Sequence, residues 1–466
     1  MPGRERLIRV LARVMAMSEP QVQTEAAFVL HAFIERHQKL REFLLNRFEQ
    51  VQDELITDQA LSENRRLLIG AYLTQEYALE AAALFNPSVV PHPDQAGVPA
   101  GNLRLVLSLR ATGEGHLSSI VFRTAEVDPA GDIAVNTPTR FVTAATPDVN
   151  ASYDKRLFER KLYELGLLGE FADAVLAQLE SHFTLGQLQQ RVDGGLRRAW
   201  SSSREQQQHV ASGIVALARS NYELSFDPNS RLSERVIFPN TPAESRGIED
   251  ARFVAFREDD GTITYYATYS AYDGAIVLPQ IVETRDFVHF RISTLNGPAV
   301  RNKGLALFPR KIAGHYAMIS RQDGENVFIM FSDMLNFWND KRLLLRPTEP
   351  WEFIQLGNCG SPIETDEGWI LLTHGVGPMR RYVMGAALLD REDPTRVIGR
   401  LREPLLTPSE TEREGYVPNV VYSCGGIVHA GNLIIPYAMS DQCASFAVVS
   451  LRALLDELKR HPPFPP

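Results

Sequence analysis

The strongest limit on how this chain can fold is an internal repeat. A lead run, a second run and a third run ending in charged residues return together five times. The lead runs read NPSVVPH, EDARFVAF, LALFPRKI, GSPIETD and NVVYSCGGIVH. The second runs read LRLVLSLR, ITYYATYS, YAMISRQ, WILLTHG and LIIPYAM, and the third read LSSIVFRT, IVLPQIVE, VFIMFSD, YVMGAALL and FAVVSL. Their spacing is roughly 50 to 65 residues except where one helical stretch intervenes. Short strands repeated in this way predict a mainly β fold, a five-bladed β-propeller, because radial repetition leaves only short, protected edges. A generic β-sandwich need not repeat a three-run unit in register.

The length of 466 residues exceeds what one hydrophobic core usually serves. Residues from about 5 to 82 carry apolar positions at helical spacing with little Gly or Pro, so 1–82 reads as an N-terminal helical region. Strand-like text begins at FNPS, and the propeller is expected over 83–458 with a tail at 459–466. A second helical patch, about 153–215, reads as an insertion because strand text resumes at VIFPN. The formal charge of -9 argues against a nucleic-acid or anionic-membrane binder, which needs clustered excess Lys and Arg. Three cysteines, Cys359, Cys424 and Cys443, cannot all pair and read as buried thiols of a reducing compartment. The N-terminus is amphipathic but carries Glu5, unlike a transit peptide, and no apolar run approaches a bilayer span. A soluble, cytoplasmic protein is expected.

In a propeller every innermost strand runs the same way, so lead-run starts and second-run ends share one face. The starts are Asn86, Glu249 with Asp250, Arg301 with Asn302, Asn358 and Asn419; the ends are Arg110, Tyr272 with Asp273, Arg321, His374 and Asp441. This mouth suits a polar, partly anionic ligand. The rigid donor forks of Arg301 and Arg321, with Asn302, fit the oxygens of a phosphate. Asp250 is the candidate general acid, while strand alternation should turn Glu249 to the opposite face, where Arg246 or Arg252 would hold it. His374 is either a core histidine or a ligand of the mouth. No spacing of His, Cys and carboxylates suggests a metal, and neither a phosphate-cradling glycine loop nor a serine-hydrolase elbow is present.

GIEDARF, ALFPRKI, GSPIETDEGWILLTHGV, MGAALLDREDPTRVIGR and EREGYVPNVVYSCGGIV together resemble glycoside hydrolase family 130, the inverting β-mannoside phosphorylases and related β-mannosidases. The likeness runs from FNPS at 85 to about 458. It implies that inorganic phosphate, a co-substrate with no other cofactor, attacks a terminal β-mannosyl unit and yields α-mannose 1-phosphate. It makes Asp250 the acid, acting through a sugar hydroxyl. Arg301, Asn302, Arg321, His374 and Tyr382 fall on the phosphate side. Asn86, Ser88, Arg110, Asp273, Gln355 and Asp441 line the sugar side. Two features depart from the family pattern. Gln355 stands where many family phosphorylases carry a lysine, and the helical regions lie outside the minimal propeller, either to close over the mouth and trim substrate length or to pack between subunits of a homo-oligomer. Two alternatives stay open on the same scaffold, a β-mannosidase and a non-catalytic glycan-binding propeller.

Overall fold

The computed structural model describes residues 4–461, apart from residues 56, 58, 149–151, 199–202 and 275. Most of the C-terminal tail, 462–466, lies outside the described residues. The chain separates into two compact units, Met1–Ala78 with Thr139–Val142, and Leu79–Pro138 with Thr143–Pro466. Among the described residues no helix is long and apolar enough to cross a membrane.

The smaller unit holds the helices Arg4–Met15, Glu19–Phe33, Leu40–Glu49 and Glu63–Tyr72. Leu7, Leu11 and Val14 recur at spacings of three and four and are buried with Val22, Phe48, Leu68 and Ile69. Arg65 closes the end of the first helix. Its buried guanidinium donates to the carbonyls of Val14 (2.5 Å), Met15 (3.3 Å) and Met17 (2.7 Å) and pairs with Glu19.

The larger unit is mainly β, built among the described residues on five sheets in chain order, antiparallel but for one parallel pair, Arg235–Ile237 with Thr143–Ala144, in the first. Their lead strands are Ala83–Pro91, Ile248–Arg257, Ala306–Leu307, Gln355–Asn358 and Val421–Tyr422. The second and third runs of the repeat become the next two strands of each sheet. The fourth lead strand starts five residues earlier than GSPIETD and resumes at Ile363–Thr365 after a break. A further strand, absent from the three-run reading, follows the third run in sheets two to four: His289–Thr294, Arg342–Leu345 and Val397–Arg400.

The cores lie between consecutive sheets. Phe122 meets Phe253, Phe256 and Tyr266 meet Leu307 and Met318, and Phe308 and Ile319 meet Leu356 and Trp369. Leu372 meets Val421 and Ile435, and Ile434 of the fifth sheet returns to Val89 and Leu105 of the first. Backbone bonds follow the same return, from Cys424 N to the Pro87 carbonyl and from Leu84 N to the Gln442 carbonyl, both at 2.9 Å.

The insertion forms helices Lys155–Glu164, Glu170–Leu176, Leu185–Leu196 and Arg204–Arg219 around its own core of Leu162, Val175, Leu188 and Ile214. Two short strands, Ser152–Asp154 and His182–Thr184, pair within it. On leaving it the chain adds Tyr222–Ser225 to the second sheet and Arg235–Ile237 to the first. Cys359 and Cys424 are buried free thiols, but Cys443, expected to be buried, is exposed on the last strand. That strand borders its sheet and turns Cys443 outward.

Arg65→Ala removes three helix-end bonds from a buried cation and should cost about 2–3 kcal/mol. Hydrogen exchange is expected to quicken in Arg4–Met15 while the five sheets keep their protection.

Candidate active site

The two carboxylates of GIEDARF do not alternate. Pairing between Ile248–Arg257 and Ile263–Tyr272 slips between Glu249 and Arg252, and Asp250 adopts φ +53°. A bulge with a left-handed residue turns both side chains to one side. Arg110 then lies 3.4 Å from Glu249 and 3.6 Å from Asp250. The expectation that Glu249 faces away is corrected: it is held by Arg110 and by the Lys303 ammonium, not by Arg246 or Arg252.

Asp250 is the most heavily supported group of the mouth. The Asn86 amide donates to its Oδ1 at 2.7 Å. Arg252, whose side chain is 1% exposed, lies 3.9 Å from Oδ2. The Arg252 fork also donates to the Asp250 carbonyl (3.0 Å), the Cys359 carbonyl (2.9 Å) and the Tyr422 hydroxyl (2.5 Å). Burial pushes the Asp250 carboxyl up, but Arg110, Arg252, Asn86 and Lys303 together outweigh it and hold the group below the usual aspartate range. In the free site Asp250 is therefore ionised at neutral pH. Asp441 behaves oppositely. Burial, then the negative field of Asp250, raises it to about 6 despite Arg110 and Arg380. Two neighbouring carboxyls are thus driven apart in proton affinity.

The second cluster forms around Arg321. Its Nη1 lies 3.2 Å from His374 Nε2, and since a guanidinium only donates, that nitrogen accepts and the imidazole proton sits on Nδ1. Burial, then the fields of Arg321 and Arg252, hold His374 well below its ordinary pKa, so the ring is neutral. Tyr382 stacks on this ring at 6.0 Å between centroids and Tyr422 meets it edge-on at 5.0 Å. Two glycines make the packing possible. A Cβ on Gly304, at φ +87°, would come 2.4 Å from Arg321 Nε, and one on Gly357 would come 2.4 Å from the His374 ring. Neither Arg321 nor Arg301 forms an ion pair among the described residues. Arg301 is exposed on the loop before the third lead strand. Asn302, at φ +63°, reaches the Arg321 carbonyl at 3.5 Å.

Asn86, Arg110, Asp250 and Asp441 thus gather around one carboxylate, and Asn302, Arg321, His374 and Tyr382 around one guanidinium. Gln355 is half-buried opposite Val376, two residues before Gly357 and so on the same strand face as the glycine that admits His374. Two residues do not reach the mouth with their polar atoms. Ser88 is fully buried, accepting from Phe253 N at 3.0 Å and donating to its carbonyl at 3.5 Å, and so ties the first lead strand to the second. Asp273 accepts from Ile276 N at 2.7 Å and shapes an exposed turn. The residues that sequence reasoning missed are Lys303 and Tyr422, and Arg252 had been assigned to packing alone. Lys303 stood in plain view beside Arg301 and Asn302, whereas nothing in VVYSC separates Tyr422 from a core tyrosine.

The model of glycoside hydrolase family 130, described as beta-1,4-mannooligosaccharide phosphorylase, matches residues 194–460. The chain belongs to glycoside hydrolase family 130. This family 130 chain is 36% identical over 246 residues to a 1,2-beta-oligomannan phosphorylase of Thermoanaerobacter sp. (strain X514), a match covering 51% of this chain and 80% of that one. It is 33% identical over 231 residues to a beta-1,2-mannobiose phosphorylase of Listeria innocua serovar 6a, covering 48% and 63%. A beta-1,4-mannooligosaccharide phosphorylase of Ruminococcus albus matches at 35% over 172 residues, 34% of this chain and 51% of that one. Among solved structures, the Listeria innocua beta-1,2-mannobiose phosphorylase in complex with beta-1,2-mannobiose has a TM-score of 0.47 and 23% identity, covering 82% of this chain and 93% of that one. Asn86 and Arg110 lie before the family match, yet both touch Asp250 within it.

The raised Asp441 carboxyl predicts a pH signature. Its folded pKa of about 6 exceeds the unfolded value, so its contribution to stability is full below about pH 4 and is lost as pH rises through 6. Asp441→Asn removes the cost of the buried charge and should stabilise the chain by about 1–2 kcal/mol at pH 8 but little at pH 4. Urea unfolding at the two pH values checks this.

Proposed function

We propose that this chain is an inverting β-mannoside phosphorylase. A phosphate oxygen attacks the anomeric carbon of a terminal β-mannosyl unit and the glycosidic C1–O bond breaks. Asp250 supplies the proton taken up by the leaving oxygen, and the product is α-mannose 1-phosphate. The names of the relatives agree with this reading.

The observation that carries it is a charge imbalance. Among the described residues Arg110, Arg252, Lys303 and Arg380 act on Glu249, Asp250 and Asp441, and Arg321 stands beside the neutral His374, so these five cations outnumber the three carboxylates by two even when all three are ionised. Arg321 is half-buried without an ion pair among the described residues, and a phosphate dianion bound there, with Arg301 reaching in from its exposed loop, would balance the charge. The neutral His374 adds an uncharged imidazole that leaves this balance unaltered. Hydrolysis fits less well, because an inverting hydrolase needs a second carboxylate free to activate water. Of the two neighbouring carboxyls, Glu249 is engaged by two cations, and Asp441 is the one a hydrolytic reading would have to use.

The scaffold we infer is a five-bladed propeller, with the helical unit and the insertion as accessories to it. Its support is the cyclic order of the inter-sheet cores and a cavity of about 360 Å³ lined from all five lead runs, by Val89, Val254, Pro309, Ile363 and Ile427 among others. The two buried free thiols suit a reducing compartment such as the cytoplasm.

The test is incubation with β-1,2- and β-1,4-mannobiose, with and without inorganic phosphate. Mannose 1-phosphate is expected only with phosphate, and free mannose released at a phosphate-independent rate would overturn the reading. Asp250→Asn should lower kcat by roughly 10²–10⁴ while sugar binding is kept. Arg301→Ala should raise the phosphate KM far more than the mannoside KM.

A further inference from the structure

Asp250 must carry a proton to act as an acid, yet the free site holds it ionised. The groups that face it are Arg110 from the first sheet, Asn86 from the first lead strand, Arg252 and Glu249 from its own strand, Lys303 from the loop before the third lead strand, and Asp441 from the fifth sheet. Tyr422 and Cys424 of the fifth lead run stand behind Arg252 and feel the Asp250 charge. Most of these are fixed. Arg252 is fully buried with its fork shared among three acceptors, and the Asn86 amide is buried.

Arg110 is partly exposed and shared between two carboxylates, and Lys303 is the least confined. Its side chain is 33% exposed, its four-carbon stem is flexible, and its ammonium rests between Glu249 and the Tyr272 ring, 5.7 Å from the ring centroid. It follows Arg301 and Asn302 directly, on the segment that Gly304 packs against Arg321. Glu249 divides itself between Lys303 and Arg110, and Arg110 in turn divides itself between Glu249 and Asp250.

We infer that Glu249 and Lys303 are a positioning pair through which the arrival of phosphate loads the proton onto Asp250. This rests on the phosphorolysis reading. A partly exposed ion pair is weak, so a dianion beside Arg301 and Arg321 draws the ammonium off Glu249 at little cost. Glu249 then has only Arg110 and pulls that guanidinium from Asp250. The carboxylate loses two cations from its surroundings as a negative ligand enters them, and it takes a proton from solvent. That proton goes to the leaving oxygen when phosphate attacks C1, and Asp250 returns to the ionised state. The acid is thus armed only when the nucleophile is present.

The test is calorimetric titration of the full chain with inorganic phosphate, without sugar, at pH 6 in two buffers of different ionisation enthalpy. Phosphate is mostly the monoanion at pH 6 and sheds a proton when bound as the dianion, so the wild type is expected to release fewer protons than the phosphate alone would shed, the difference being the uptake by Asp250. Lys303→Met should bind phosphate roughly tenfold more weakly and roughly halve the uptake, while Lys303→Arg restores both. The titration of phosphate itself is common to all three. In turnover, Lys303→Met should raise the phosphate KM but not the mannoside KM and move the basic limb of the pH profile upward. Glu249→Gln should move that limb downward, since it removes a negative neighbour. Wild-type affinity and proton count in Lys303→Met, or equal rises in both KM values, would overturn the inference. A chain that binds phosphate with proton uptake but yields no mannose 1-phosphate would overturn the phosphorolysis reading alone, and one that binds no phosphate would overturn both.

Discussion

Arg252 ties the centre of the larger unit together. It leaves the second lead strand, and its three nitrogens reach the Asp250 carbonyl on that strand, the Cys359 carbonyl beyond the fourth and the Tyr422 hydroxyl on the fifth. Lead strands have few backbone bonds to one another, so a buried fork with fixed geometry supplies cross-ties that the ladders cannot. Ser88 does the same between the first and second lead strands. A buried cation without a nearby carboxylate would be expensive, and Asp250 lies close enough to meet that need. The group that holds the strands together and the group assigned to the chemistry are thus each other's partner.

Much of this was legible in the chain. The three-run repeat located fourteen of its fifteen runs on strands of the sheets, because alternating apolar residues between Gly-, Pro- and Asp-rich turns have few other uses. GSPIETD was the exception in part, since its leading residues belong to a break and the true strand, QLGN, is too short and too polar to stand out. Lead-run starts and second-run ends did meet in space, since antiparallel pairing brings Phe85 opposite Arg110 and Gly357 opposite His374.

What the pattern could not show was the bulge. Period-2 alternation assigns Glu249 and Asp250 to opposite faces, and only an extra residue in the register reverses that. The same blindness hid the roles of Ser88 and Asp273, because a polar residue at a strand end reads alike whether it faces a ligand or a neighbouring backbone. The direction of the Asp250 shift was equally hidden. It depends on four groups from distant parts of the chain, whose summed field no local reading contains.

Asn86, Asp250, Asn302, Asn358 and Asn419 stand at or near the starts of the lead runs, and all but Asn358 have positive φ. Asn and Asp are the non-glycine residues that adopt this conformation most readily, and they do so almost interchangeably. They differ by a full charge while being nearly equal in volume. The rim of this mouth can therefore be recharged one residue at a time without redrawing its backbone, so ligand preference and shape are separate variables in the architecture.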